Sequence, residues 1–426
     1  MMRLKVHKGE ASGRLQTETT MTRETPQSRR HKPLKPVAAA TLDDVETLAD
    51  DYSYIPALND AIGGYFKDAV RITLAEPTKS LFFLRTILWQ RKAARVRQKW
   101  QNSGLHVPAL LIVSVTSKCN LRCKGCYAFA HDKGKARGPE LSDARLRTLV
   151  AEANELGISA ILFAGGEPLL REDLLTITKD FPSVIFPIVT NETLIDEGAL
   201  DHFRNQRNVI PVVSIESDER DTDERRGVGM HKRLQKAMEA MRAKGIFFGC
   251  SLTITRSNFA TITDDRFIES LIHAGTKLIL LLEYVSVEEG TEDWVLTDEQ
   301  RSTLVDKTER FRTQFPAIFI GIPGDEEQYG GCLAAGRGFV HVSPDGDLEP
   351  CPVSPYSDTN VQQLSLKEAL QSRLLQAIRQ RHETLSETEG GCALWTEREW
   401  VRSLLQPAER SAIPLRRIDS AHHAIE

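Results

Sequence analysis

The sequence predicts an α/β protein: a partial (β/α)6 barrel of the TIM type, with a helical N-terminal extension and a small C-terminal domain. Three observations carry this. Apolar, strand-like runs recur at 110–116, 158–164, 184–190, 209–216, 246–254 and 277–285. Helical stretches separate them, so strands and helices alternate as in a parallel sheet with helices outside. After Ile322 the alternation breaks and Gly, Pro and Cys become frequent, which argues against a closed eight-stranded barrel.

Taken in order, residues 1–40 hold nine Lys or Arg against three Glu and few aromatics. Such a segment cannot bury enough surface to order itself, so 1–55 reads as a disordered tail whose charge turns acidic over 41–51. Residues 56–108 read as a helical extension. Within it, Lys79 to Trp100 carries seven basic residues and no acidic one, with Leu81, Leu84 and Leu88 at helical spacing and a second series of Trp89, Ala93, Val96 and Trp100. Two outcomes fit a basic amphipathic helix: packing on the barrel wall, or peripheral contact of 79–100 with an anionic membrane surface. The barrel follows over 109–323. Its clearest helices run from Ser142 to Leu156, stopped by Gly157, and from His231 to Lys244, stopped by Gly245. A boundary falls near Pro323–Glu327, a small domain spans 324–400, and 401–426 is a polar tail containing His422 and His423.

Composition narrows the function. A chain of 426 residues with 41% hydrophobic content can bury a large core. A net charge of −4 gives no reason to expect nucleic acid as partner. Apolar runs such as Leu278 to Leu282 are far too short to span a membrane. Seven widely spaced cysteines without a signal peptide suggest reduced, metal-binding thiols in a cytoplasmic setting rather than a secreted disulfide scaffold.

Three of those cysteines stand as Cys119-x3-Cys123-x2-Cys126 in the loop leaving the first strand. Three thiols at this spacing can hold three irons of a cubane and leave the fourth open to a ligand. Parallel βα architectures build their sites at this end of the strands. One unit later the second strand ends in Gly165-Gly166-Glu167-Pro168, where two glycines allow close backbone approach.

Together these motifs resemble the radical S-adenosylmethionine enzymes, over roughly Leu110 to Trp395. The resemblance implies a 4Fe–4S cluster on Cys119, Cys123 and Cys126 whose open iron is chelated by S-adenosylmethionine. Gly165, Gly166 and Glu167 would hold the methionyl amino group. Reduction would cleave the sulfonium to a 5′-deoxyadenosyl radical that abstracts hydrogen from a substrate. Ser214 in Val213-Ser214-Ile215-Glu216 looks like the ribose-contacting strand, and Asn191 would face the same cavity. Asp223-x-x-Arg226-Gly227 is similar to a family segment in which Arg226 pairs with the methionyl carboxylate, while Arg225 reads as a surface charge. Three positions depart from the family pattern. Gly125 replaces the usual aromatic before the third cysteine, leaving adenine contact to Tyr127. Glu192 takes the glycine position of a Thr-Asn-Gly strand end, and Ser217 follows Glu216 where a glycine is common.

The small C-terminal domain carries Cys332, then Gly346 and four residues later Cys351, then Cys392. Val340 to Val342, a Pro-Asp-Gly turn and Leu348 predict a hairpin with the two thiols at its ends. This resembles the twitch domain, the shortened SPASM form, which implies a second, auxiliary iron–sulfur cluster; a zinc site is the contrasting reading. Cys250 reads as a core residue and His341 as a structural histidine. The resemblance further implies a low-potential electron donor of flavodoxin or ferredoxin type and a peptide or small-molecule substrate. A membrane lipid substrate is the alternative, and a non-enzymatic redox sensor the contrasting class.

Overall fold

The structure, a computed structural model, describes residues 52–74, 76–132, 138–323, 326, 329–382, 385 and 392–405. The tail expected over 1–55 therefore lies outside the described residues up to 51, and so does the polar tail from 406, with His422 and His423.

Two helices come first, α1 (Ile55–Ile72) and α2 (Pro77–Asn102). Each has a proline in its opening turn, where the missing N–H is one that no helix satisfies. The half-barrel begins at β1 (Leu110–Ser114), whose following loop leads into α3 (Tyr127–Asp132) and α4 (Asp143–Leu156). Ser142 caps α4 by accepting from the Arg145 N–H, and Gly157 ends it in the left-handed region at φ 89°. Next come β2 (Ala160–Ala164), α5 (Leu174–Lys179), β3 (Phe186–Thr190), α6 (Glu197–Asn205) and β4 (Val209–Ile215). They are followed by α7 (Glu219–Arg226), α8 (Met230–Ala243), β5 (Gly249–Ile254), α9 (Phe259–Ile262), α10 (Asp265–His273) and β6 (Leu278–Glu283).

Beyond this point the structure differs from the six-unit expectation. A further unit, α11 (Asp298–Gln314) and β7 (Ile318–Ile322), extends the sheet past β6. Its helix buries only Leu304, Thr308 and Phe311 and is otherwise charged, which hides the period that would announce it. At the opposite edge, β8 (Phe339–Val342) runs parallel to β1 in the register Leu110↔Phe339 to Val113↔Val342. β9 (Leu348–Glu349) pairs back antiparallel, making the hairpin expected around Gly346. The sheet thus has nine strands in the order β7-β6-β5-β4-β3-β2-β1-β8-β9. After the hairpin come two short helices, α12 (Leu366–Ala369) and α13 (Arg373–Gln380), followed by α14 (Ala393–Thr396) and α15 (Arg398–Ser403).

Strand side chains alternate between two cores. One face, with Leu111, Val113, Phe163, Phe186, Ile215 and Leu252, packs under the surrounding helices. The other, with Ile210, Val212, Leu278, Leu280 and Ile318, packs against Ala69 of α1 and Phe83 of α2. Most of these lie in the first half of their strands. The helix pair therefore covers the end of the half-barrel opposite the cysteine loop.

The orientation of α2 reverses what its leucine spacing suggests. Inward it points Phe83, Thr86, Gln90 and Arg97, while Leu81, Leu84 and Leu88 are 59%, 49% and 62% exposed. The reason lies in the turn before β2, whose carbonyls need donors. Gln90 Nε2 donates to Ser159 O at 3.3 Å and Arg97 Nη1 to Gly157 O at 2.7 Å, with Arg97 Nη2 on Asn59 Oδ1 at 2.6 Å. Among the described residues no helix is long and apolar enough to cross a membrane.

Candidate active site

The cysteine loop is held by backbone contacts that only glycine permits. Gly166 N donates to Thr116 O and Glu167 N to Lys118 O, each at 2.8 Å, so the Gly-Gly-Glu turn lies flat against the segment entering Cys119. A Cβ on Gly166 would sit 2.0 Å from Lys118 O, and one on Gly165 would sit 2.4 Å from Thr116 O. Glu140 braces the same segment. It accepts from Ser117 N and Ser117 Oγ at 2.8 and 2.7 Å, and these hydrogen bonds outweigh its partial burial and hold its carboxyl below the usual range.

Glu167 is buried and fully engaged. Its Oε1 accepts from Thr190 Oγ1 at 2.7 Å and Leu169 N at 3.1 Å, and its Oε2 from Asn191 N at 2.7 Å. Asn191 Nδ2 in turn lies 3.8 Å from Cys119 Sγ and donates to Asn120 Oδ1 at 2.8 Å. Three loops, after β1, β2 and β3, are thereby tied into one unit. Burial pushes the Cys119 and Cys123 thiols up, and each also feels Cys126.

On the other side of the loop stands a cationic pair. Arg226 donates through Nε and Nη2 to Glu216 Oε1 at 3.0 and 2.7 Å, and Arg225 Nη1 donates to the same oxygen at 2.8 Å. Both guanidinium groups act electrostatically on Cys123. Arg225 is no surface charge: its Nε donates to Lys124 O and its own carbonyl accepts from Lys124 N, clamping the loop between Cys123 and Cys126. Sequence reasoning missed Arg225 and its partner Glu216, because an i, i+9 pair across a turn has no local pattern.

Gly125 has φ 64°, and a Cβ there would lie 2.6 Å from the Tyr284 hydroxyl and 2.9 Å from Trp294. The loop after β6 thus places its own aromatic pair, with centroids 5.3 Å apart, against the position where the family carries an aromatic residue. Tyr127 points elsewhere. It is half-buried, hydrogen-bonded with Ser114, and feels Cys351 and Glu349. Ser114 Oγ meets His341 Nε2 at 2.8 Å, and His341 Nδ1 meets Glu349 Oε2 at 2.7 Å, so a polar chain joins the loop after β1 to the C-terminal hairpin. The expectation that Tyr127 lies beside an adenine is not what this placement suggests. Ser214 lies at the C-terminal end of β4, opposite Ser251 of β5.

Cys332 and Cys351 are also driven well above the usual thiol range, first by burial, and both feel Cys392 and Glu326. The hairpin brings them together through Ala335 N on Pro350 O at 3.0 Å, while Arg337 Nη1 holds Cys332 O at 2.7 Å. Glu326, invisible to sequence reasoning, is the acidic neighbour both thiols share. Cys250 stands apart in β5, its thiol pushed up to about 12 by burial.

Both cysteine groups fit iron–sulfur clusters on their chemistry. A bare thiolate is disfavoured at Cys119, Cys123, Cys332 and Cys351, whereas a coordinated thiol loses its proton outright. Among the described residues no three His, Cys, Asp or Glu converge as they would around a single ion, and a cubane, which offers each thiolate its own iron, does not need them to.

Residues 113–295 match the model of the Radical SAM superfamily. The chain carries a radical SAM domain. It is similar to the AdoMet-dependent heme synthase of Oleidesulfovibrio alaskensis, 27% identical over 57% of this chain and 69% of that protein. It is similar to the pre-heme d1 synthase of Dinoroseobacter shibae, 23% identical over 67% and 79%. It also resembles the PqqA peptide cyclase of Gluconobacter oxydans, 24% identical over 61% and 76%. Among solved structures, Streptococcus suis SuiB bound to S-adenosylmethionine aligns at TM-score 0.52 with 17% identity, covering 72% of this chain and 77% of that one. These likenesses to structures carry the half-barrel fold. With its radical SAM domain and relatives named as synthases and cyclases, this chain is an enzyme.

Proposed function

We propose that this radical SAM enzyme cleaves S-adenosylmethionine reductively on a 4Fe–4S cluster held by Cys119, Cys123 and Cys126, and abstracts hydrogen from a peptide or small-molecule substrate. The observation that carries it is the hydrogen-bonded unit Glu167–Asn191–Cys119, which ties the Gly-Gly-Glu turn to the first cluster cysteine. When bound, the cluster supplies the electron that breaks the sulfonium C–S bond. The chain's own part is to position and to exclude water. Gly165 and Gly166 present backbone to the methionyl amino group, Arg226 offers a guanidinium to the carboxylate, and Tyr284 with Trp294 supplies aromatic surface beside Gly125. A second cluster on Cys332, Cys351 and Cys392, a flavodoxin or ferredoxin type donor and a cytoplasmic setting complete the reading. The named products of the relatives, hemes and a cyclised peptide, favour a substrate of either class.

The test is anaerobic reconstitution with iron and sulfide. Two cubanes require about eight irons per chain, and the Cys332, Cys351 and Cys392 triple alanine variant should hold about four while still forming 5′-deoxyadenosine under dithionite. An iron-loaded chain that leaves S-adenosylmethionine intact would sink the reading.

A specific observation also favours peripheral membrane contact. The outward face of α2 sets exposed Leu81, Leu84 and Leu88 beside Arg85, Arg91, Lys92 and Arg95, a pattern suited to an anionic surface. This face lies at the end of the half-barrel away from the cysteine loop, so it suits docking better than delivery of a lipid substrate. Sedimentation with vesicles rich in phosphatidylglycerol should carry the chain down, and the Leu81, Leu84 and Leu88 triple serine variant should stay in solution. Equal recovery of both proteins in the supernatant would dismiss the contact.

A further inference from the structure

The loop after β3 contains a residue that the functional reading has not used. Glu192 follows Asn191, takes φ 61° although it is not glycine, and is 3% exposed. Its Oε1 is buried with no hydrogen-bond partner among the described residues. A left-handed glutamate is strained where glycine would not be, and an unsatisfied buried acceptor adds a desolvation cost. Two costs on one side chain mark a site where the fold gives up stability for a task.

Its neighbours indicate the task. The residue before it touches Cys119 and is held by Glu167, so Glu192 stands beside the joint between cluster loop and Gly-Gly-Glu turn. Across the loop, Arg226 acts on Cys123 and is felt by Glu167. A carboxyl on the residue after Asn191 and a guanidinium acting on Cys123 match the amino and carboxylate groups of an α-amino acid end. Glu167 already has both oxygens engaged, whereas Glu192 Oε1 has no partner among the described residues.

We propose that Glu192 is a further positioning residue of this site, its open oxygen accepting a hydrogen bond from the methionyl amino group of S-adenosylmethionine. The proposal rests on the function proposed above and adds a residue to it. Two charged groups act on Glu192, Arg233 of α8, which lowers its pKa, and Glu167, which raises it; burial outweighs both and carries the carboxyl to about 7.

Equilibrium dialysis of labelled S-adenosylmethionine against the cluster-loaded full chain reads the contact. Glu192→Gln should weaken binding about tenfold, the loss of one charge-assisted hydrogen bond, and Glu192→Asp should weaken it less. 5′-Methylthioadenosine, which lacks the amino-acid end, should bind all three proteins alike. Wild-type affinity should fall as pH is lowered through about 7, and Glu192→Gln should lose that dependence. Equal affinity of wild type and Glu192→Gln at matched iron content overturns the proposal, and so does parallel weakening of 5′-methylthioadenosine, the mark of a merely deformed pocket. A wild-type chain that holds iron yet binds no S-adenosylmethionine overturns the underlying reading and this proposal with it.

Discussion

Gly166→Ala is expected to cut 5′-deoxyadenosine formation by about 10²-fold or more, the scale on which a displacement near 1 Å acts. The added methyl would lie 2.0 Å from Lys118 O and 2.4 Å from Lys118 C, both backbone atoms one residue from Cys119. No side chain can swing aside, so either the Gly-Gly-Glu turn or the cysteine loop must move. Movement of either breaks the Glu167 N to Lys118 O bond that registers them. Overpacking of this kind costs roughly 1–3 kcal/mol, and with backbone as the obstacle the upper end applies. Thermal melting and iron content check it together. A variant with wild-type iron, melting temperature and turnover would show that the two loops are not in this contact.

Glu192→Gly is expected to do the reverse to stability: it should raise the melting temperature by several degrees. Glycine adopts φ 61° freely, and its introduction removes the buried, unpartnered Oε1. The pH dependence has a definite sign. Burial raises the folded carboxyl from the ordinary 4.5 to about 7, so the folded state binds the proton more tightly than the unfolded one. The cost of the charge is absent below about 4.5, grows from there to about 7, and is fully present above. Wild type should therefore lose stability relative to Glu192→Gln across that window, measured by denaturant midpoints. A constant difference between the two proteins from pH 4 to 8 would contradict the assignment.

The parallel half-barrel was legible because six strands are short apolar runs, and helices between them such as α4 and α8 are followed by a glycine. The unit α11–β7 was not, since a helix burying three residues in seventeen leaves little period. The helix α2 shows the opposite failure. Its leucines have the right spacing, but hydrogen bonds from Gln90 and Arg97 to the turn before β2 decide which face turns inward.

The site divides in the same way. The sequence by itself determined the cluster-type cysteine spacing, the glycines that allow close approach, and a glutamate at a glycine position, because each is a local pattern of residue type. Only the tertiary structure decided that Arg225 and Arg226 share Glu216 beside Cys123, that Tyr284 and Trp294 fill the space at Gly125, and that β8 docks on β1 to bring His341 to Ser114. These contacts join residues far apart in the chain or across a loop, and their partners are chosen by how strands and loops stack, which no spacing in the sequence encodes.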